Sequence, residues 1–87
     1  MVRENDFIAV FHSVHRVMKA EKILKGAGVS ILLIPAPRQI SSDCGLALRY
    51  APEDADRVGD LLLAGGLPPT EVYQYRMGKF IHQQIFP

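Results

Sequence analysis

The chain has a single cysteine, Cys44, and the residues that could do chemistry with it lie in two short stretches. Cys44 follows the polar run "RQISSD" (38–43) and opens the alternating run "CGLALRY" (44–50). The second stretch, "FHSVHR" (11–16), carries His12, Ser13, His15 and Arg16. A thiol near a helix N-terminus and a few cations is a site for a thiolate or a bound anion. The partial positive charge and free N–H groups of the first helical turn stabilise negative charge there. Here the turn reads Ser13-Val14-His15-Arg16 with no acidic residue, and Arg38 adds a cation from the facing loop. Plainer readings stand beside this one. A lone cysteine with core parity is most often a small buried hydrophobe. Asp43 beside it opposes the cations, Arg38 reads equally as a solvated surface charge, and Gly45 permits a bulge or a close backbone approach. His12 and His15 form an HxxH pair, but with one cysteine they fall short of a structural zinc set, so no metal is assigned. A Cys–His nucleophile pair lacks a third orienting residue. From the residues alone, a thiol site and an anion- or partner-binding site without thiol chemistry both remain open.

Four strand-like and two helix-like segments must position these groups. "DFIAVFH" (6–12) is aromatic and β-branched, as a strand is. Ser13 offers an N-cap, and Val14, Val17, Met18, Ile23, Leu24 and Ala27 recur at helical spacing up to a glycine stop at Gly28. "VSILLIP" (29–35) is the near-continuous apolar run of a strand buried on both faces. In 44–50, Cys44, Leu46, Leu48 and Tyr50 share one side, predicted to face the helices, with Ala47 and Arg49 on the other. "PEDADRVGDLLLAGG" (52–66) has Pro52 and acids in its first turn and two glycines at its end, and "TEVYQYRM" (70–77) reads as a last strand at a sheet edge.

The order β-α-β-β-α-β predicts an α+β, ferredoxin-like split β-α-β sandwich: an antiparallel four-stranded sheet with two helices on one face. The first and third strands would lie side by side in the middle. That arrangement gathers Phe11, His12, Ser13, His15, Arg16, Arg38 and Cys44 at one end of the molecule. Residues 1–77 make the domain and 78–87 a tail. Both faces of the first two strands are apolar, and one helical layer covers only one of them. The other face therefore predicts either a second copy or packing of the tail through Phe80, Ile81, Ile85 and Phe86, most simply a two-fold homodimer joined through sheets or tails.

Composition bounds the rest. With 87 residues there is one domain, which buries roughly 60–65% of its unfolded surface. Ten basic residues against nine acidic ones leave no basic stripe for nucleic acid. No apolar run reaches membrane-spanning length, and "MVRENDFIAVF" is charged where a secretion signal is apolar, so a cytoplasmic location without membrane contact is expected. One cysteine makes no internal disulfide.

Beyond these patterns, "FHSVHRVMKAEKILKGAGVSILLIPAPRQISSDCGLALRY" closely resembles the selenium/sulfur (Se/S) carrier protein-like family, from about Phe7 to Tyr75. The resemblance rests on Phe11, Ser13 and His15 at the start of the first helix, and on Met18 to Lys22 with methionine for the usual alanine. It rests further on Pro35, Pro37 and Arg38, and on the Ser-Ser-x-Cys-Gly-Leu-Ala-Leu-Arg block from Ser41 to Arg49. It implies a carrier rather than an independent catalyst. Cys44 would hold sulfur or selenium as a persulfide or selenosulfide, Ser13, His15, Arg38 and Gly45 would line the site, and a donor and an acceptor protein would be the partners. No cofactor is implied. Only a thiolate attacks a sulfur donor, and a thiol of ordinary pKa, about 8.5, is about 3% ionised at pH 7. Lowering it by one unit, about 1.4 kcal/mol of differential stabilisation, raises that to roughly a quarter. The chain departs from the sulfur-relay proteins whose cysteine sits in a Cys-Pro-x-Pro turn, because its prolines precede Cys44 in a different loop.

Overall fold

The computed structural model describes residues 2–40 and 45–83. Cys44, with Ser41 to Asp43 before it, and Ile85 and Phe86 of the tail lie outside the described residues. The elements are β1 (Phe7–Val10), α1 (Val14–Gly26), β2 (Ile31–Pro35), β3 (Leu46–Tyr50), a 3-10 turn (Pro52–Asp54) leading into α2 (Ala55–Ala64), β4 (Glu71–Arg76) and β5 (Lys79–Gln83). Among the described residues they form one antiparallel sheet in the order β2-β3-β1-β4-β5 with two helices. β1 and β3 pair antiparallel near the middle, with Val10 opposite Ala47 and Phe7 opposite Tyr50.

Local chemistry sets the element ends. The Ser13 hydroxyl caps α1 by accepting from the Arg16 N–H at 3.3 Å. Each helix ends in a Schellman-type turn. Val29 N–H donates to the Leu24 carbonyl and Leu67 N–H to the Leu62 carbonyl, across Gly28 and Gly66 at positive φ. Val29 and Leu67 then drop into the core, so each stop signal also fixes a packing contact.

The sheet has five strands rather than four, and β4 is flanked on both sides rather than at the edge. The reason is the Met77–Gly78 turn. Arg76 pairs with Lys79, and both intervening residues have positive φ, 52° and 78°. This is the type I′ geometry that matches strand twist. Part of the predicted tail is therefore the outer strand of the sheet.

Both helices press on one face of the sheet. Val17, Ala20 and Leu24 of α1 and Val58 and Leu62 of α2 share a core with Ala9 and Phe11, Leu48 and Tyr50, and Val72. Leu46 packs against the same core, so the predicted parity of β3 holds at the described positions. On the opposite face Ile8, Val10, Ile34 and Ala47 are at most 2% exposed, packed by Val2, Ala36, Ile40, Tyr73 and Phe80. A single chain therefore buries these four side chains without a second copy, contrary to the reason given above for a sheet-packed dimer. Ile81, expected to help cover this face, is instead exposed. At the margin of this face Asp6 is buried and paired with Arg49 at 2.9 Å.

Candidate functional site

The chain leaves β1 at Val10 and enters α1 through Ser13, at the sheet end where β2 finishes and β3 starts. Three contacts define that end. Pro35 lies opposite Leu46, the Ala36 N–H donates to the Gly45 carbonyl at 3.1 Å, and the Thr70 N–H donates to the Val10 carbonyl at 2.8 Å. Ser13, the turn holding Arg38, and Gly45 thus share one end of the molecule. Gly45 is exposed immediately before β3. Arg38 is exposed in a turn closed by the Ile40 N–H on the Pro37 carbonyl. Cys44 is the residue between this turn and Gly45 whose placement lies outside the description.

His15 belongs to a different grouping from Arg38. With Arg16, Lys19 and Lys22 it lines an open groove of about 660 Å³ between α1 and the turn Gly65–Gly66–Leu67 at the end of α2. Ile23 and the buried Leu67 are the apolar members of the lining. A Cβ on Gly65 would come within 2.9 Å of the Ile23 Cδ1, the far end of a side chain that can turn aside, so the end of α2 sits close against α1. Among the described residues Arg16, Lys19 and Lys22 have no ion-pair partner, since the one pair within α1 joins Lys25 to Glu21 at 3.1 Å. Like charges three or four residues apart on a helix cost about 0.2–0.5 kcal/mol per pair, so this row is not there for the helix's own stability. Chemically the groove suits a carboxylate- or phosphate-bearing ligand. The sequence reading found His15 and Arg16 but missed Lys19, Lys22 and the Gly65–Leu67 wall. The visible signal was the excess of bases along α1, in which Glu21 is the single acid.

Among the described residues no group of three or more His, Cys, Asp or Glu side chains is placed to hold a metal ion. No described helix is long and apolar enough to cross a membrane.

A second cavity, about 340 Å³, lies between α2 and the sheet and is lined by Phe7, Tyr50, Val58, Leu62 and Val72 among others. Phe7 stacks on Tyr50 with centroids 5.7 Å apart. The Tyr50 hydroxyl has no hydrogen-bond partner among the described residues, and burial pushes its pKa well above the usual tyrosine value. The sign follows from linkage. The unfolded chain loses this proton near pH 10 while the folded chain keeps it, so stability falls above pH 10 by about 1.4 kcal/mol per pH unit. Tyr50→Phe should leave neutral stability nearly unchanged and remove that part of the alkaline loss. Urea midpoints at pH 7 and pH 11 measure it, and equal alkaline losses in the two proteins would refute it.

What the fold and site define is a small α+β domain with Ser13, the Arg38 turn and Gly45 at one sheet end and a basic groove along its first helix. The family model described as "Putative Se/S carrier protein-like" matches residues 6–74 of the 87, and the chain belongs to that family. No curated protein and no solved structure matches the chain.

Proposed function

We propose that the protein is a sulfur or selenium carrier that holds the chalcogen on Cys44 and delivers it to an acceptor protein. Family membership is the observation that carries this reading. The Cys44 thiolate attacks the terminal sulfur of a donor persulfide, and the donor thiolate leaves. One S–S bond breaks as another forms, and Cys44 is left as its persulfide with no net oxidation. A selenium-bearing donor gives the selenosulfide in the same way. An acceptor nucleophile reverses the step. The surroundings support the reading. Gly45, exposed and without a side chain, leaves room for a partner's sulfur, and Ser13 and Arg38 lie at the same sheet end. The strand order β2-β3-β1-β4 with both helices on one face supports a ferredoxin-like arrangement, β5 being an addition at its edge. Transfer between partner proteins of this kind belongs in a reducing, cytoplasmic compartment.

A second reading, anion or partner binding without thiol chemistry, is favoured by the unpaired bases of the groove. Intact mass under non-reducing, anaerobic conditions separates the two. The protein is incubated with a cysteine desulfurase supplied with cysteine or selenocysteine. We expect one added chalcogen atom, removed by reductant and absent from Cys44→Ala. An unmodified folded protein whose thiol also alkylates slowly would move the function to anion binding in the groove of His15, Arg16, Lys19 and Lys22.

A further inference from the structure

We infer that the helical layer is a two-fold interface between copies of this chain, with α1 of each copy lying on α2 of the other. The inference is independent of the carrier reading and rests on how charge is divided between the helices. In α1, Arg16, Lys19, Lys22 and Lys25 stand against Glu21 alone, four bases to one acid, a net of +3. From the 3-10 turn through α2, Glu53, Asp54, Asp56 and Asp60 stand against Arg57 alone, a net of −3. The whole chain carries only +1, so this is segregation and not excess. Among the described residues no ion pair joins the two helices, and the opposed charges are left facing outward instead. Each charged surface also carries apolar side chains more than half exposed, Val14 and Met18 on α1 and Leu63 on α2.

The topology makes these surfaces complementary. α1 follows β1 and α2 follows β3, and those strands are antiparallel, so the helices run in opposite directions on the same face. A two-fold axis parallel to them sets α1 of one copy on α2 of the other, and the same rotation repeats the contact, as an isologous interface requires. Position along the helices is kept. Gly65 at the end of α2 lies against Ile23, so the kept position sets Lys22 and Lys25, late in α1, toward Asp60, with Lys19 and Asp56 at the margins of the contact. Four side chains of the sheet's second face, Ile8, Val10, Ile34 and Ala47, are already buried within one chain, although Leu32 on that face is exposed. The helical layer is where, among the described residues, charges of both signs stand unmatched. Two helices of this length, about 15–20 Å long and some 10 Å apart, offer roughly 400 Å² per copy, about 800 Å² in all and less than a stable interface buries. The dimer is therefore weak and salt-sensitive.

Sedimentation equilibrium of the full chain at concentrations up to about 1 mM tests this at about 20 mM and 500 mM salt, where screening lengths differ several-fold. The wild type should dimerise at low salt, with the dissociation constant rising about tenfold or more at high salt. K19E/K22E and D56K/D60K should each be monomeric. Their equimolar mixture should restore a species of twice the monomer mass, which also shows that both variants are folded. A wild type that stays monomeric at low salt would assign the basic face of α1 to an acidic partner and overturn the inference. Reversals that leave dimerisation unchanged, or a mixture that fails to restore it, would overturn it equally.

Discussion

Phe11→Ala should cost about 3–5 kcal/mol of folding stability, the range for truncating a fully buried phenylalanine. Phe11 has no exposed surface and joins the core shared by both helices and the sheet. It stands one residue beyond β1 and two before the Ser13 cap, so its ring anchors the turn by which the chain leaves the sheet for α1. At about 0.05–0.15 kcal/mol per residue, 87 residues have roughly 4–13 kcal/mol in all, and the variant gives up a large share of it. For a domain this size each kcal/mol moves Tm by about 4–8 °C, so the drop is roughly 12–40 °C. Phe11→Leu, which keeps most of the volume, should lose under about 1.5 kcal/mol. Urea unfolding of the three proteins, compared at equal m-value, makes the measurement. A loss below about 1 kcal/mol in Phe11→Ala would show that the ring does not hold this junction.

The same residue illustrates how far the sequence could be read. The aromatic and β-branched run in 6–12, alternation in 44–50 and helical spacing in 14–27 are core signals, and the structure fills them with Ala9, Phe11, Leu48, Tyr50, Val17 and Leu24, while Val14 and Met18 at the same helical spacing are exposed. The stops at Gly28 and Gly66 were legible because a left-handed residue after a helix is chemically distinctive. β5 was not legible, because its turn places methionine where a type I′ hairpin favours Asn, Asp or Gly. Met77 is 87% exposed and contributes no core packing to compensate, so nothing in "RMGK" announces the hairpin. The cover of the second sheet face was legible only in part. Phe80 of the tail packs there as expected, together with Tyr73, but Val2, Ala36 and Ile40 are isolated apolar residues in loops that carry no periodicity.

The candidate site divides in the same way. Ser13, Arg38 and Gly45 could be assigned to one end of the molecule because strand order alone fixes which loops meet. His15, two residues after Ser13, also lines a groove with Arg16, Lys19 and Lys22, and the opposite wall comes from Gly65 to Leu67, about fifty residues further along the chain. That wall depends on the approach of α2 to α1, with Gly65 against Ile23, a packing detail that periodicity does not encode. Charge segregation between the helices needed no structure to count. It needed the structure to place both helices on one face and antiparallel, where the count acquires a meaning.

The Asp6–Arg49 pair was also beyond the sequence, since 43 residues separate the partners. Asp6→Ala should destabilise the domain by about 2–4 kcal/mol, somewhat under the 3–5 of a fully buried pair. The Asp6 carboxylate is almost fully buried and one oxygen, Oδ2, accepts from both the Arg49 guanidinium at 2.9 Å and the Arg3 N–H at 2.8 Å. The Arg49 side chain is about a fifth exposed, which gives it a partial route to water once its partner is gone. Its Nε is buried with no hydrogen-bond partner among the described residues, so the guanidinium depends on Asp6 more than a well-served arginine would. Asp6→Asn, which keeps an acceptor of the same shape but no charge, should cost about 1–2 kcal/mol. The sharper test replaces both groups. Arg49 lies opposite Ile8 on one side and Leu32 on the other, an apolar setting in which methionine fits. Replacing a buried pair with apolar residues is often neutral, so Asp6→Ala with Arg49→Met should recover most of the loss, with a coupling of about 1–3 kcal/mol in a double-mutant cycle. If the losses simply add, the pair is not a unit. The stability would then reside in the Arg3 hydrogen bond and the turn that holds Asp6 at the start of β1.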